Sequence, residues 1–102
     1  MTNLPAREQI IEAIRRAVSE ALLIPQDQVI PSARLVSDLK AESIDVADIR
    51  FRIEDGLKIR IDQREMMVAL GENLTAEELN NSFTVQFVID YVTEKLTQGA
   101  RG

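Results

Sequence analysis

Apolar residues near the start of the chain recur every three or four positions, which is the spacing of one face of an α-helix. Ile10 and Ile14 lie on that face, while charged residues occupy the opposite side. Pro5 suits the first turn of a helix and Pro25 ends one, because proline lacks a backbone N–H. The pattern predicts an amphipathic helix over about 5–23.

The stretch after this helix, over 24–41, has no helical period and contains several turn-forming residues. Val29, Leu35 and Leu39 are scattered through it. A loop of this length is uncommon in a small domain unless it is packed or functional. We therefore expect its aliphatic side chains to hold it against the core.

A second helix is predicted from Ser43 to Gly56, with Gly56 in the left-handed position that often ends a helix. At about 100° per residue, its apolar side chains fall on two opposite faces. We define the inward stripe as Val46, Ile49, Ile53 and Leu57, and the outward stripe as Ile44, Ala47 and Phe51. The inward stripe can meet the core. The outward stripe is then either a partner contact or a surface covered by the loop or by later residues.

An insert over 62–81 carries two pairs of residues with the form of a capping box, and such pairs mark helix starts. A last helix is predicted from about Thr84 to Leu96, and the tail over 98–102 is expected to fray. No strand pattern persists anywhere in the chain, which indicates an all-α bundle. The two capping-box pairs in the insert are Asp62 with Glu65 and Thr75 with Glu78.

The chain has 102 residues, a net charge of −5, and neither cysteine nor histidine. We expect one domain over 1–102 with a core of about 5–97. The composition excludes thiol and imidazole catalysis and Cys/His metal sites, and an acidic chain lacks the basic clusters that bind nucleic acid. No apolar run is long enough for a signal sequence or a membrane span, so we expect a cytoplasmic monomer without membrane insertion.

Chemical signals coincide at the start of the second predicted helix. Ser43 follows the long loop, with carboxylates at Glu42, Asp45 and Asp48 nearby. One interpretation is structural, because serine is a preferred N-cap and acidic residues complement the helix dipole. The other is a phosphoester site, because a helix N-terminus also accommodates a phosphate group. The pattern alone leaves both open.

The same segment, Asp38-Leu39-x-Ala41-Glu42-Ser43-Ile44-Asp45, resembles the D-L-G-x-D-S-L-D signature of acyl carrier proteins. The preceding loop, with Ala33-x-Leu35-Val36-x-Asp38-Leu39, is similar to the loop between the first two helices of that family. Thr84-Val85-Gln86-x-x-Ile89-Asp90-Tyr91 is similar to the opening of the family's last helix. The resemblance covers about 7–61 and 82–96. It implies a four-helix bundle with a long loop after the first helix, here with an extra helical insert before the last one.

The resemblance also implies roles for individual residues. Ser43 would accept 4'-phosphopantetheine from coenzyme A through a phosphopantetheinyl transferase, with Glu42 and Asp45 flanking the attachment site. Acyl groups would then travel as thioesters to an acyl-ACP synthetase, ketosynthase or acyltransferase. The chain itself would be a carrier and not an enzyme. The residues expected to contact partners are Asp38, Ile44, Ala47, Asp48, Arg50, Phe51 and Arg52, and those expected to line an acyl cavity are Val46, Ile53, Leu57, Ile59 and Tyr91.

The chain departs from the family pattern in three ways. Lys40 replaces the usual glycine, and Glu42 replaces the usual aspartate. Arg50 and Arg52 lie in a helix that is mostly acidic in housekeeping carriers. The insert makes the connection to the last helix about twice the family's usual length. These departures favour a specialised lipid or lipopolysaccharide-type pathway over bulk fatty-acid synthesis.

Two alternatives to an acyl carrier stay open. A peptidyl or aminoacyl carrier would be a near relative, although such domains usually have glycines before the serine. An unmodified helical interaction domain, in which Ser43 only caps a helix, is the second. An acid/base enzyme has little support, because no pair of carboxylates is marked out by an apolar pocket.

Overall fold

The computed structural model describes residues 5–101, and within this range the chain is helical with no β-strand. This confirms the predicted all-α fold. The insert contributes two short helices, so five α-helices are present. They are α1 (Arg7–Leu22), α2 (Ser43–Leu57), α3 (Gln63–Leu70), α4 (Ala76–Ser82) and α5 (Val85–Arg101), with a 3-10 turn at Gln26–Gln28 after α1.

The core lies where α1 packs against α2 and α5. Ile14 and Val18 of α1 are fully buried there, together with Ile53 of α2 and Ile89 and Val92 of α5. These side chains are aliphatic, and their burial supplies the main stabilisation of a small helical domain. The apolar face predicted for the first helix is therefore the face that meets the core.

The loop between α1 and α2 is pinned to the core, as its aliphatic residues predicted. Val29 and Leu35 are each only 1% exposed. The Leu35 backbone N–H donates to the carbonyl of Phe83 at 3.0 Å, and the Val85 N–H donates to the carbonyl of Ala33 at 3.0 Å. The loop is thereby tied to the first turn of α5, and this fixes the segment that leads to Ser43.

The end of α2 differs from the prediction. Gly56 lies inside the helix, and Lys58 takes the left-handed position with φ 55°. Leu57 packs against the core, which extends the helix past the glycine. The last helix also runs beyond the predicted end at Leu96, because its helical backbone continues to Arg101. The expected fraying of the tail over 98–102 stays a prediction, and residue 102 lies outside the described range.

The two predicted capping boxes behave differently. At α4, the Thr75 hydroxyl accepts from the Glu78 N–H, and the Glu78 carboxylate accepts from the Thr75 N–H. At α3, Asp62 accepts from backbone N–H groups of the first turn, but Glu65 does not bond back. The predicted box is therefore complete at α4 only.

Glu65 instead connects α3 to α5. Its carboxylate accepts from the Tyr91 hydroxyl at 2.9 Å and from Lys95 Nζ at 2.6 Å. These bonds, first from Lys95 and then from Tyr91, hold the pKa of Glu65 below its usual value. Burial, with the bond to Glu65, raises the pKa of Tyr91 to about 12. The insert is therefore attached to the last helix by a polar contact as well as by packing.

Candidate functional site

The start of α2 presents Ser43 without using it as a cap. Glu42 is the N-cap, with extended backbone at φ −95° and ψ 170°, and Ser43 is the first helical residue. The Asp45 carboxylate accepts from the Glu42 N–H at 2.9 Å, which stabilises the turn into the helix. Ser43 is exposed, and its hydroxyl makes no hydrogen bond to the described residues. The interpretation of Ser43 as a simple N-cap is therefore wrong.

A phosphoester fits this position. The first N–H groups of a helix have no partner within the helix, and the helix dipole favours a negative charge at this end. Glu42 and Asp45 add negative charge nearby, but Asp45 is turned back onto the Glu42 N–H. An exposed hydroxyl on the first turn can therefore carry a phosphodiester that points away from the protein.

Lys40 explains one departure from the family signature. Its backbone has φ 62°, the left-handed region that glycine adopts without strain. Lys40 Nζ donates to the Ser37 carbonyl at 3.0 Å, and Ala41 next to it is buried. The signature's usual glycine thus corresponds to a real conformational requirement, which this chain meets with a lysine.

Asp38 is held inside the loop by a residue that the sequence analysis missed. Arg34 donates to the Asp38 carboxylate from its backbone N–H at 2.8 Å and from its guanidinium at 3.1 and 3.0 Å. The guanidinium bonds, followed by the backbone bond, hold the pKa of Asp38 below its usual value. Arg34 also donates to Asn81 of α4 at 2.8 Å. Asp38, which was predicted to contact partners, therefore helps to order the loop. The four-residue spacing of Arg34 and Asp38 in the sequence could have indicated this ion pair.

The outward stripe of α2 is open to solvent at both ends. Ile44 is 75% exposed and Phe51 is 58% exposed, while Ala47 between them is half-buried. The alternative in which the loop or the insert covers this stripe is therefore wrong for the two large side chains. Ser43 lies at the N-terminal end of the same surface.

The charged residues of α2 are paired within the protein. Arg52 donates to Asp48 at 3.1 Å and to Glu20 of α1 at 3.1 Å, so it links two helices at the surface. Arg50 is different, because only 22% of its side chain is exposed and it donates to the Ile61 carbonyl at 3.2 Å. Arg50 and Arg52 were both predicted to contact partners; Arg50 turns toward the segment after α2, and its partner role stays a prediction.

A small, largely apolar cavity of about 20 Å³ lies behind α2. Val46 and Ile53 line it as predicted, and Met66 of the insert lines it as well. Three predicted lining residues lie elsewhere. Leu57 packs at the edge of the core, Ile59 borders a surface groove beside Arg60, and Tyr91 borders a groove between α3 and α5. Ile59 and Tyr91 are partly buried against the core but do not border this cavity, so their role in holding an acyl chain stays a prediction.

No helix among the described residues is long and apolar enough to cross a membrane. Over the same part of the chain, acidic side chains do not assemble into a group able to hold a metal ion. The site offers one exposed hydroxyl, that of Ser43, at the N-terminus of α2. The fold and the site define a helical domain that has an exposed serine beside an exposed apolar face.

Comparison with known proteins agrees with that class. Residues 12–79 match the family described as the phosphopantetheine attachment site. The acyl carrier protein of Rubrobacter xylanophilus is 28% identical, over 89% of this chain and 96% of the relative. That of Thermotoga maritima is 26% identical, over 91% and 99%, and that of Cyanidium caldarium is 29% identical, over 87% and 93%.

The chain belongs to the phosphopantetheine-attachment family of acyl carrier proteins, as its resemblance predicted. It is a carrier and not a catalyst, and its prosthetic group is 4'-phosphopantetheine. That group supplies the reactive thiol, which a chain without cysteine does not have. The residues of the chain contribute the attachment point, the charge around it and the surfaces beside it.

Proposed function

We propose that Ser43 is the attachment residue and that the protein presents acyl thioesters from this point to partner enzymes. The observation that carries the proposal is the exposed Ser43 hydroxyl at the first residue of α2, with the cap role taken by Glu42. In the attachment reaction the hydroxyl oxygen bonds to the phosphorus of coenzyme A that carries pantetheine, and the bond from this phosphorus to the bridging oxygen of the pyrophosphate breaks. The leaving group is adenosine 3',5'-bisphosphate, and the hydroxyl proton passes to the transferase.

The contacts of the neighbouring residues support roles for them in ordering the site. Asp45 orders the turn by accepting from Glu42, and Arg34 orders the preceding loop through Asp38. These contacts hold the backbone on both sides of Ser43 before any partner arrives. A pre-ordered site reduces the entropy lost on binding, so the transferase meets a serine already in position.

The outward stripe is the proposed docking surface for partner enzymes. Ile44 is 75% exposed, and Phe51 is 58% exposed although the Arg50 guanidinium lies over one face of its ring at 4.5 Å. Aromatic side chains are frequent anchors at interfaces. Asp48 and Arg52 form an ion pair beside this stripe. Because Arg52 neutralises one of the four carboxylates of α2, the surface is less acidic than it would be without the arginine. A partner that relies only on a basic patch therefore gains less here, which supports a dedicated partner.

Intact mass measurement after co-expression with a phosphopantetheinyl transferase tests the proposal. The wild type is expected to gain the mass of one phosphopantetheine, and Ser43→Ala is expected to gain none. Ser37→Ala is the matched control, because Ser37 lies in the loop just before the site. Its modification should equal that of the wild type. A modified Ser43→Ala protein would contradict the assignment.

The pathway is also part of the proposal. We place the protein in specialised lipid synthesis, for example of a lipopolysaccharide, with a synthetase, ketosynthase or acyltransferase as the acyl partner. Two features support this: the insert, whose Met66 borders the cavity, and the paired charges on α2. Mass spectrometry of the protein purified from its native host would identify the thioester. Ordinary saturated acyl groups of mixed length would contradict the specialised role.

A further inference from the structure

A groove of about 590 Å³ runs between α3 of the insert and α5. Its volume lies within the range of about 300–1,000 Å³ that is typical of ligand-binding clefts. Among the described residues that border the groove, none belongs to α2. The groove is therefore a surface separate from the outward stripe and from Ser43.

The apolar part of the groove is held in place. Ala69 is exposed on the α3 side, and the half-buried rings of Phe87 and Tyr91 lie on the α5 side. The two rings stack, with their centres 6.2 Å apart and their planes at 23°. The Tyr91 hydroxyl donates to the Glu65 carboxylate at 2.9 Å, and this bond ties the ring to α3. A partner thus meets an apolar surface that is already ordered, which lowers the entropy cost of binding.

Acidic side chains surround this apolar part. Three carboxylates and one ammonium group border the groove, and together they leave a net charge of −2. Glu65 and Lys95 form an ion pair at 2.6 Å and neutralise each other. Asp90 and Glu94 carry the remaining charge, and within the described residues neither takes part in an ion pair. Two like charges one helical turn apart repel each other, and a cation bound near both removes that repulsion.

The hydrogen bonds of Asp90 and Glu94 leave both carboxylates able to accept a cation. Asp90 Oδ1 accepts from Gln86 Nε2 at 2.8 Å, and Glu94 Oε1 accepts from Gln98 Nε2 at 3.4 Å. Both donors are neutral amides, so the two negative charges stay uncompensated. Arg7 of α1 borders the neighbouring groove beside the same carboxylates without pairing with either of them. The acidic side of the groove is therefore available to a partner.

A basic amphipathic helix matches both properties of the groove. Its side chains three and four residues apart lie on one face, so an aliphatic residue meets the apolar part while flanking arginines reach the carboxylates. Arginine suits this position because its guanidinium pairs with carboxylates and also stacks on aromatic rings. A second copy of this chain fits less well, because each copy has a net charge of −5 and like net charges oppose association. Charge complementarity therefore selects a basic partner.

We propose that the groove between α3 and α5 docks a basic amphipathic helix of a partner protein. An aliphatic side chain of that helix packs against Ala69 and Phe87. Its arginines pair with Asp90 and Glu94. This inference goes beyond the proposed function, since it does not depend on attachment at Ser43. The docked helix touches no residue of α2, so one protein can hold the carrier while the outward stripe meets another, and such tethering raises the local concentration of the carrier.

Fluorescence anisotropy with a labelled synthetic peptide tests the proposal on the full chain. The probe is a helix-forming peptide of about 15 residues in which leucines recur every three or four positions and arginines flank them. A scrambled peptide keeps the composition and charge but loses the apolar face, and it should bind at least about tenfold more weakly. Equal affinity for the two peptides, or no binding of the probe at about 1 mM, would overturn the inference.

Variants of the chain locate the binding site. Asp90→Asn combined with Glu94→Gln should raise the Kd of the probe about tenfold, because two charge pairs are lost. The matched control, Glu72→Gln combined with Glu77→Gln, removes the same charge from exposed residues outside the groove and should change the Kd less than about twofold. Ala69→Gln places a larger polar side chain in the groove and should raise the Kd about fivefold. Equal losses in the two double variants would show that binding follows net charge alone and would overturn the inference.

A second readout uses only the wild type. On addition of the probe, the backbone amide resonances of Ala69 and Glu94 should shift, whereas those of Ile44 and Phe51 on the outward stripe should not. The reverse pattern would overturn the inference. Sedimentation of the wild type alone should show a monomer. A dimer that Ala69→Gln abolishes would assign the groove to a second copy of the chain and would also overturn the inference.

Discussion

Ile53 and Phe51 lie on opposite faces of α2 and together test which face stabilises the fold. Ile53 is 2% exposed, whereas Phe51 is 58% exposed. Replacing a buried isoleucine with alanine costs about 2–5 kcal/mol, because contacts are lost and a cavity remains. Ile53 already borders a cavity of about 20 Å³, so the new space adds to an existing one. Phe51→Ala removes little buried area and introduces a better helix former.

From these values we expect Ile53→Ala to lower the free energy of unfolding by about 3 kcal/mol and Tm by about 12–24 °C. Phe51→Ala should change the free energy of unfolding by no more than about 0.5 kcal/mol. Urea unfolding followed by far-UV circular dichroism measures both, and equal m-values would show that the unfolded reference is the same. A Phe51→Ala protein as unstable as Ile53→Ala would refute the assignment of the two faces.

Phe51→Ala also tests whether partner enzymes dock on the outward stripe. If Phe51 anchors a partner, Phe51→Ala in the holo-protein should lower kcat/KM for loading by an acyl-ACP synthetase about tenfold. Val68→Ala is the matched control, because Val68 is 54% exposed but lies on α3 outside the outward stripe. Its loading should equal that of the wild type. Equal losses in the two variants would contradict docking on the outward stripe.

Three further predictions concern single contacts. Tyr91 is the one tyrosine in the chain, so its phenolate absorbance should titrate near the pKa of about 12. Because this pKa is raised, its contribution to stability is complete below pH 10.0 and is lost as the pH rises from 10.0 through about 12. Glu65→Gln should lower the titration midpoint, and an unchanged midpoint would contradict the contact. Arg34 lowers the pKa of Asp38, so the contribution of Asp38 to stability is present above pH 3.8 and is lost as the pH falls through the folded-state pKa. Asp38→Asn should therefore make the loss of stability at acid pH, followed by circular dichroism, less steep. A slope equal to that of the wild type would refute this. Lys40→Gly should raise the free energy of unfolding by about 0.5 kcal/mol, because relief of left-handed backbone strain exceeds the entropy cost of glycine. Lys40→Ala is the control and should not raise the free energy of unfolding. A rise in both variants would contradict backbone strain as the reason.

Periodicity predicted the two faces of α2, because each residue's direction on a helix follows from its number alone. The exposure of Ile44 and Phe51 and the burial of Ile49 and Ile53 agree with it. Helical periodicity did not predict which way the Arg50 side chain turns. Its partner, the Ile61 carbonyl, belongs to a segment whose path depends on how the insert folds back.

The remaining errors have similar physical origins. Gly56 was expected to end α2, but packing of Leu57 on the core extended the helix to Lys58. The family resemblance made Tyr91 a candidate to line the acyl cavity, but it does not border the cavity behind α2. Its hydroxyl instead bonds to Glu65, which draws the ring toward α3. In each case a contact between distant parts of the chain decided the outcome, and local pattern carries no information about such contacts.

The central claim is that Ser43 carries the phosphopantetheine arm, and trypsin provides a direct test. Cleavage after Lys40 and Arg50 releases residues 41–50, in which Ser43 is the one residue with a hydroxyl group. Ser37 falls on the preceding peptide. Tandem mass spectrometry of the wild type, co-expressed with a phosphopantetheinyl transferase, should find the arm on the 41–50 peptide at Ser43. An unmodified 41–50 peptide from a protein whose intact mass includes the arm would contradict the account.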